Sequence, residues 1–258
     1  MFEILSNILK DHKGNIIFKC FGLWHILFML LIFGTIITIV ILLKNKSKET
    51  KQKTIKAVIN IAFGLYVLDF FLMPLAYGYI DIEKLPFHIC TISCVLCFFS
   101  RHNKSLGKFK LEFALLGLIG NLIYVIYPAG VMWYQVAPYS YRVIQTLSFH
   151  GLMTLYGVLT LIYDDKRLRW KNCYKELIII LIITVWALVG NMIYNNESRT
   201  YNWLFVVQDP FYILPKNIAP FLMPFIIVIT LFAADMIIHL LYFISYKLIK
   251  KISCDNIS

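Results

Sequence analysis

Residues 85–100 read LPFHICTISCVLCFFS. This is the shortest apolar segment in a chain whose other apolar runs reach the ~20 residues that span a bilayer as a helix. Where a span normally carries Leu, Ile and Val, it carries His88, Cys90, Cys94 and Cys97. Pro86 sits where a helix would begin, since its missing N–H is an orphan at that position anyway. An ionisable residue inside a membrane is a functional-site hypothesis by default, and its partners must come from other spans at the same depth.

The whole chain fits that reading. It has 258 residues, 60% of them hydrophobic, far above a soluble domain of this size. The expected fold is all-α, a polytopic bundle of seven transmembrane helices in a single domain. The spans are expected at 23–43, 57–77, 86–100, 111–133, 142–163, 177–194 and 217–246. The aromatic and Pro-containing stretch 195–216 is too short and broken to cross, and is expected to be interfacial or re-entrant. Phe2, Leu5, Ile8 and Leu9 share a helical face, which suggests a short interfacial helix before the first span.

Alternate loops differ in charge. The loops after spans one, three and five, with the C-terminal tail, hold 18 of the 25 Lys and Arg. The positive-inside rule then puts the N-terminus outside and the C-terminus in the cytoplasm of a cell-membrane protein. The net charge of +11 reads as orientation signal and contact with anionic phospholipid, not as nucleic-acid binding. Oligomeric state is not readable. The six cysteines do not form a disulfide framework, because three lie in one apolar segment and Cys20, Cys173 and Cys254 are scattered.

Cys90, Cys94 and Cys97 have the C-x3-C-x2-C spacing of a radical-SAM cluster, but they occupy a membrane helix with no accompanying soluble barrel. On a helix they form one stripe, the ordinary packing of small apolar side chains. Cys90 differs by lying in the first helical turn, where the helix N-terminus favours a thiolate. His88 points away from Cys90 in a regular helix. His150, at similar depth on span five, is the better base. Asp69 on span two is placed to orient that histidine. Gln145 and Asn191 lie in the same outer half, and each is expected to face the bundle or to join helices by hydrogen bonds. Asp235 and His239 form an i, i+4 pair on span seven. No metal and no cofactor are expected.

LPFHIC at 85–90, FHG at 149–151, and the Gly190–Asn191 pair followed by YNWLF at 201–205 resemble the YwaF family of integral membrane proteins. That family shows Leu-Pro-x-His-x-Cys at the start of a middle span, His-Gly in a later one, and Asn-Tyr-aliphatic-Phe before the last. The resemblance covers about residues 85–210 and departs at Asn202–Trp203, where Asn-Tyr is usual. The family is similar to a eukaryotic membrane acyltransferase that remodels ether phospholipids through a cysteine and a histidine on separate spans. The matching positions here are Cys90 and His150.

The resemblance implies a lipid acyltransferase with Cys90 as nucleophile and His150 as base. Arg142 would hold the lipid phosphate, and His88, Asp69, Gln145, Asn191 and Asn202 would bind substrate or support the site. Two alternatives stand beside it. One is a proton-coupled transporter using Asp69, His150 and the Asp235–His239 pair. The other is a structural membrane protein with no chemistry.

Overall fold

In a computed structural model, which describes residues 7–165, 168–196 and 199–255, the chain is helical and carries no strand among those residues. Seven helices account for it: α1 Leu23–Leu43, α2 Lys48–Tyr77, α3 Ile89–His102, α4 Lys110–Ile126, α5 Tyr141–Tyr163, α6 Cys173–Tyr194 and α7 Ala219–Asp255. Six are long and apolar enough to cross a membrane, and α3 is a shorter apolar helix. The chain divides into two compact units, Met1–Asp164 and Asp165–Ser258.

Several boundaries differ from expectation. The lysine-rich stretch read as a loop before span two is the first part of α2. Ser47 caps it by accepting the Thr50 N–H at 3.2 Å, and lysine is itself a good helix former. Pro86 does not start a helix. The Phe87 N–H bonds the Leu85 carbonyl at 2.7 Å in a tight turn, and α3 begins at Ile89 with His88 as its extended cap. Span four is cut short because Tyr127 precedes Pro128 and leaves helical geometry (φ −135°, ψ 83°), as residues before proline do. A single turn, Ala129–Met132, follows. Helix α6 begins at Cys173, four residues early, and α7 runs to Asp255.

In the first unit α5 is central, packed on α2 and α4, while α3 lies against α4 and α2. Without a hydrophobic drive between helices in lipid, close approach depends on small residues. A Cβ on Gly157 of α5 would stand 2.6 Å from the Leu118 side chain of α4. A Cβ on Gly120 of α4 would stand 2.7 Å from Ile89, at the start of α3.

The N-terminal segment is stitched to the loop before α5, with Ala137 N–H on the His12 carbonyl (2.7 Å) and Phe18 N–H on Val136 (2.8 Å). Phe18 joins Val131, Val136, Val143 and Leu147 in a buried cluster. Of the expected interfacial helix, Phe2 and Leu5 lie outside the described residues, and Leu9 is buried.

His25 is fully buried near the start of α1. Its Nδ1 accepts the Phe21 N–H at 2.9 Å, so Nε2 carries the proton it donates to the Val125 carbonyl of α4, also 2.9 Å. His25→Ala orphans both backbone groups, at about 1–3 kcal/mol each. It is expected to destabilise the protein by roughly 2–6 kcal/mol in detergent thermal melts. Ile26→Ala, at an exposed position, is the comparison and should change little. Equal melts for the two would remove His25 as a clamp.

Candidate functional site

The start of α3 is held by α2 before any chemistry is considered. Tyr66 Oη donates to the Lys84 carbonyl at 2.8 Å, and Lys84 Nζ pairs with buried Asp69 at 2.7 Å. Tyr141 Oη donates to the same carboxylate at 3.2 Å. Asp69 is therefore engaged by Lys84 and Tyr141, and does not act as the orienting partner of His150. Within α3, Thr91 Oγ1 donates to the Leu85 and His88 carbonyls, fixing the first turn that carries Cys90.

Cys90 is half-buried, while Cys94 and Cys97 are fully enclosed. Tyr66 of α2, Tyr124 of α4 and Lys84 lie within electrostatic range of Cys90. Tyr124 in turn stacks on His150 of α5, ring centroids 3.9 Å apart and planes 13° from parallel. Lys84 and His88 lie within electrostatic range of that histidine. The corner thus gathers the start of α3, Tyr66, Tyr124 and His150. A thiol acts as a nucleophile once a base takes its proton.

His150 has the form such a base requires. Its Nδ1 donates to the Thr146 carbonyl one turn back at 2.7 Å, which leaves the lone pair on Nε2. That nitrogen is buried and has no hydrogen-bond partner among the described residues. Tyr124 was not singled out from the sequence. A Cβ on Gly130 would meet its hydroxyl at 2.7 Å, so the glycine is what makes room for the ring.

The other named residues have different surroundings. Arg142 is buried and committed within the protein. Its Nε donates to both Asp11 oxygens (2.8 and 3.1 Å), and its guanidinium lies 3.8 Å over the Tyr134 ring. A lipid phosphate would have to compete with that carboxylate. Gln145 accepts from Thr146 Oγ1 at 3.3 Å.

Asn191 and Asn202 belong to the second unit, and each organises backbone. Asn191 exchanges hydrogen bonds with the Trp203 N–H and carbonyl. Asn202 Oδ1 accepts from Val207 and Gln208. Among the described residues, 199–216 form an irregular loop with one 3-10 turn, Trp203–Phe205. Asp209 accepts the Phe211, Leu214 and Ile213 N–H groups, which hold its carboxyl below the usual range.

Asp235 and His239 are buried, and His239 lies against Cys173 and Glu176 of α6. Those two were not singled out from the sequence, although their i, i+3 spacing puts them on one helical face.

At the other end of α3, Arg101 is also buried. It bonds Tyr156 Oη (2.9 Å), Thr160 Oγ1 (2.9 Å), Gln52 Oε1 (3.3 Å) and Asp164 Oδ2 (2.6 Å). Lys110 Nζ pairs with the second oxygen of Asp164 at 2.6 Å. Both cations read from the sequence as loop charge.

The family model for the TMEM164 family matches residues 20–245. The chain belongs to the TMEM164 family. The match takes in all seven helices in whole or in large part, and with them Cys90 and His150. It establishes a multi-pass membrane protein of that family. Comparison with curated proteins and with solved structures finds no match.

Proposed function

We propose that this TMEM164-family protein transfers acyl groups between membrane phospholipids, with Cys90 as nucleophile and His150 as general base. The observation that carries the reading is the buried, unpartnered Nε2 of His150, whose tautomer is set by the Thr146 carbonyl. Tyr124, stacked on that ring, is also within electrostatic range of Cys90. Three buried ion pairs of the first unit are committed internally, Asp69 to Lys84, Arg142 to Asp11 and Arg101 to Asp164.

In the first step the Cys90 proton passes to Nε2, and sulfur attacks the carbonyl carbon of a phospholipid ester. The C–O bond to glycerol breaks, and the imidazolium returns its proton to the departing alkoxide. A lysophospholipid hydroxyl then gives its proton to Nε2 and attacks the thioester. The acyl group leaves sulfur, and Cys90 regains its proton. The Tyr124 face stabilises the transient imidazolium. The test is a hydroxylamine-sensitive acyl label on purified protein supplied with acyl-labelled phospholipid. No such label would sink the reading.

The same proposal includes seven crossings, with the N-terminus outside a cell membrane. Hydrogen bonds between residues 12–18 and 136–137 hold the N-terminal segment and the α4–α5 loop on one side. That requires an even number of crossings between them, and α1, α2 and α4 are three. Helix α3 supplies the fourth although its 14 residues cover only about 21 Å. It is flanked by α2 and α4, which relieves the mismatch with a core of about 30 Å. In intact cells an impermeant thiol reagent should label Tyr139→Cys and spare Lys104→Cys. Labelling of both, or the reverse, would overturn the topology.

A further inference from the structure

We infer that Cys173, Glu176 and His239 bind a divalent transition-metal ion, best suited to Zn2+. The second unit places these side chains together from two helices, with Cys173 and Glu176 in the first turn of α6 and Asp235 and His239 one turn apart on α7. Cys173 Sγ lies 3.9 Å from His239 Nε2, and Glu176 Oε1 lies 3.6 Å from the same nitrogen. One ligand atom from each of the three falls within 4.8 Å of the others. A tetrahedral zinc centre, with bonds of about 2.3 Å to sulfur and about 2.05 Å to nitrogen, separates sulfur from nitrogen by about 3.6 Å and nitrogen from oxygen by about 3.4 Å. The two spacings to His239 Nε2 need only a few tenths of an ångström of closure, and because Cys173 Sγ is also 4.0 Å from Nδ1 the imidazole would turn to aim Nε2 at the ion.

The second observation is electrostatic. Glu176 Oε2 and Asp235 Oδ2 are buried and have no hydrogen-bond partner among the described residues. Both residues are more than nine-tenths buried, Asp235 at 1% exposure and Glu176 at 5%. Asp235 stands one turn before His239 on α7. A buried carboxylate oxygen of Glu176 without a hydrogen-bond partner, beside a thiol and an imidazole, is an open ligand for a cation. Leaving such groups unpaired in an apolar interior is strongly unfavourable. Thiolate, imidazole and carboxylate together select zinc over the hard cations. The ion would clip the start of α6 to α7 in a unit built largely on one helix pair.

The test is metal analysis of full-length protein purified in detergent without chelators. Wild type is expected to hold about one zinc per chain. Cys173→Ser and His239→Ala should lower occupancy about tenfold or more, while Cys20→Ser should not. After exchange with Co2+, wild type should show tetrahedral d–d bands and a thiolate charge-transfer band, the latter lost in Cys173→Ser. Size-exclusion profiles and circular dichroism establish that each variant is folded. Should a variant fail to fold, the wild-type protein decides. Zinc with a cobalt–thiolate band sustains the site, and substoichiometric zinc with no such band after metal addition overturns it. A band that survives Cys173→Ser overturns it as well.

Discussion

Cys90→Ala is expected to abolish the hydroxylamine-sensitive acyl label entirely, with Cys94→Ala and Cys97→Ala retaining it. The three cysteines share one stripe of α3, but only Cys90 has access, being half-buried while the other two are fully enclosed. Cys94 and Cys97 act as small apolar side chains filling helix contacts, so their truncation should affect stability more than labelling. His150→Gln should slow label formation by about 10²–10⁴-fold, the usual contribution of a positioned general base. It removes the Nε2 lone pair while keeping a side chain of similar reach. Loss of label from all three cysteine variants alike would mean that packing, not nucleophilicity, was disturbed. A labelling rate unchanged in His150→Gln would detach the histidine from the chemistry.

Asp164→Asn is expected to destabilise the protein by about 3–5 kcal/mol, because it strands partly or fully buried cations that lose their counter-charge. The Asp164 side chain is fully enclosed, with Arg101 and Lys110 each 2.6 Å away. Through Arg101 it ties the end of α3 to Tyr156 and Thr160 of α5 and to Gln52 of α2. Burial alone would raise the Asp164 carboxyl. The Lys110 hydrogen bond and the charges of Arg101 and Lys110 outweigh that and hold it below its ordinary value. A depressed carboxyl contributes stability that is fully present above the unfolded value of about 3.9 and is lost as pH falls through the lower folded value. The acid limb of the wild-type stability curve should therefore flatten in Asp164→Asn. Glu49→Gln is the comparison, since it breaks an exposed i, i+4 pair with Lys53 and should cost under about 1 kcal/mol. Equal melting midpoints for the two variants would dismiss the buried network.

The sequence by itself determined the class of this protein and the existence of its helices. Long apolar runs leave a chain no other way to satisfy its backbone in lipid, and α1 and α5 fall within a residue of where hydropathy puts them. The unusual character of 85–100 was also legible, because thiols and an imidazole stand out against Leu and Ile. Boundaries governed by local chemistry were less so. The Ser47 cap and the helix propensity of lysine carry α2 into a stretch that charge alone marks as loop, and Pro86 and Pro128 redirect the chain through turns.

Pairings were decided only by the tertiary structure. Asp69 could have faced His150 by depth, but Lys84 folds back from the α3 turn and takes it. Arg142 could have met a lipid phosphate, but Asp11 lies far away in sequence and close in space. Tyr124 gains its place beside His150 because Gly130 leaves room for the ring. Cys173 and Glu176 meet His239 only through the packing of α6 on α7. The reason is common to all of these. Hydropathy is a property of one helix, whereas a buried charge takes whichever partner the packing of other helices brings within about 3 Å.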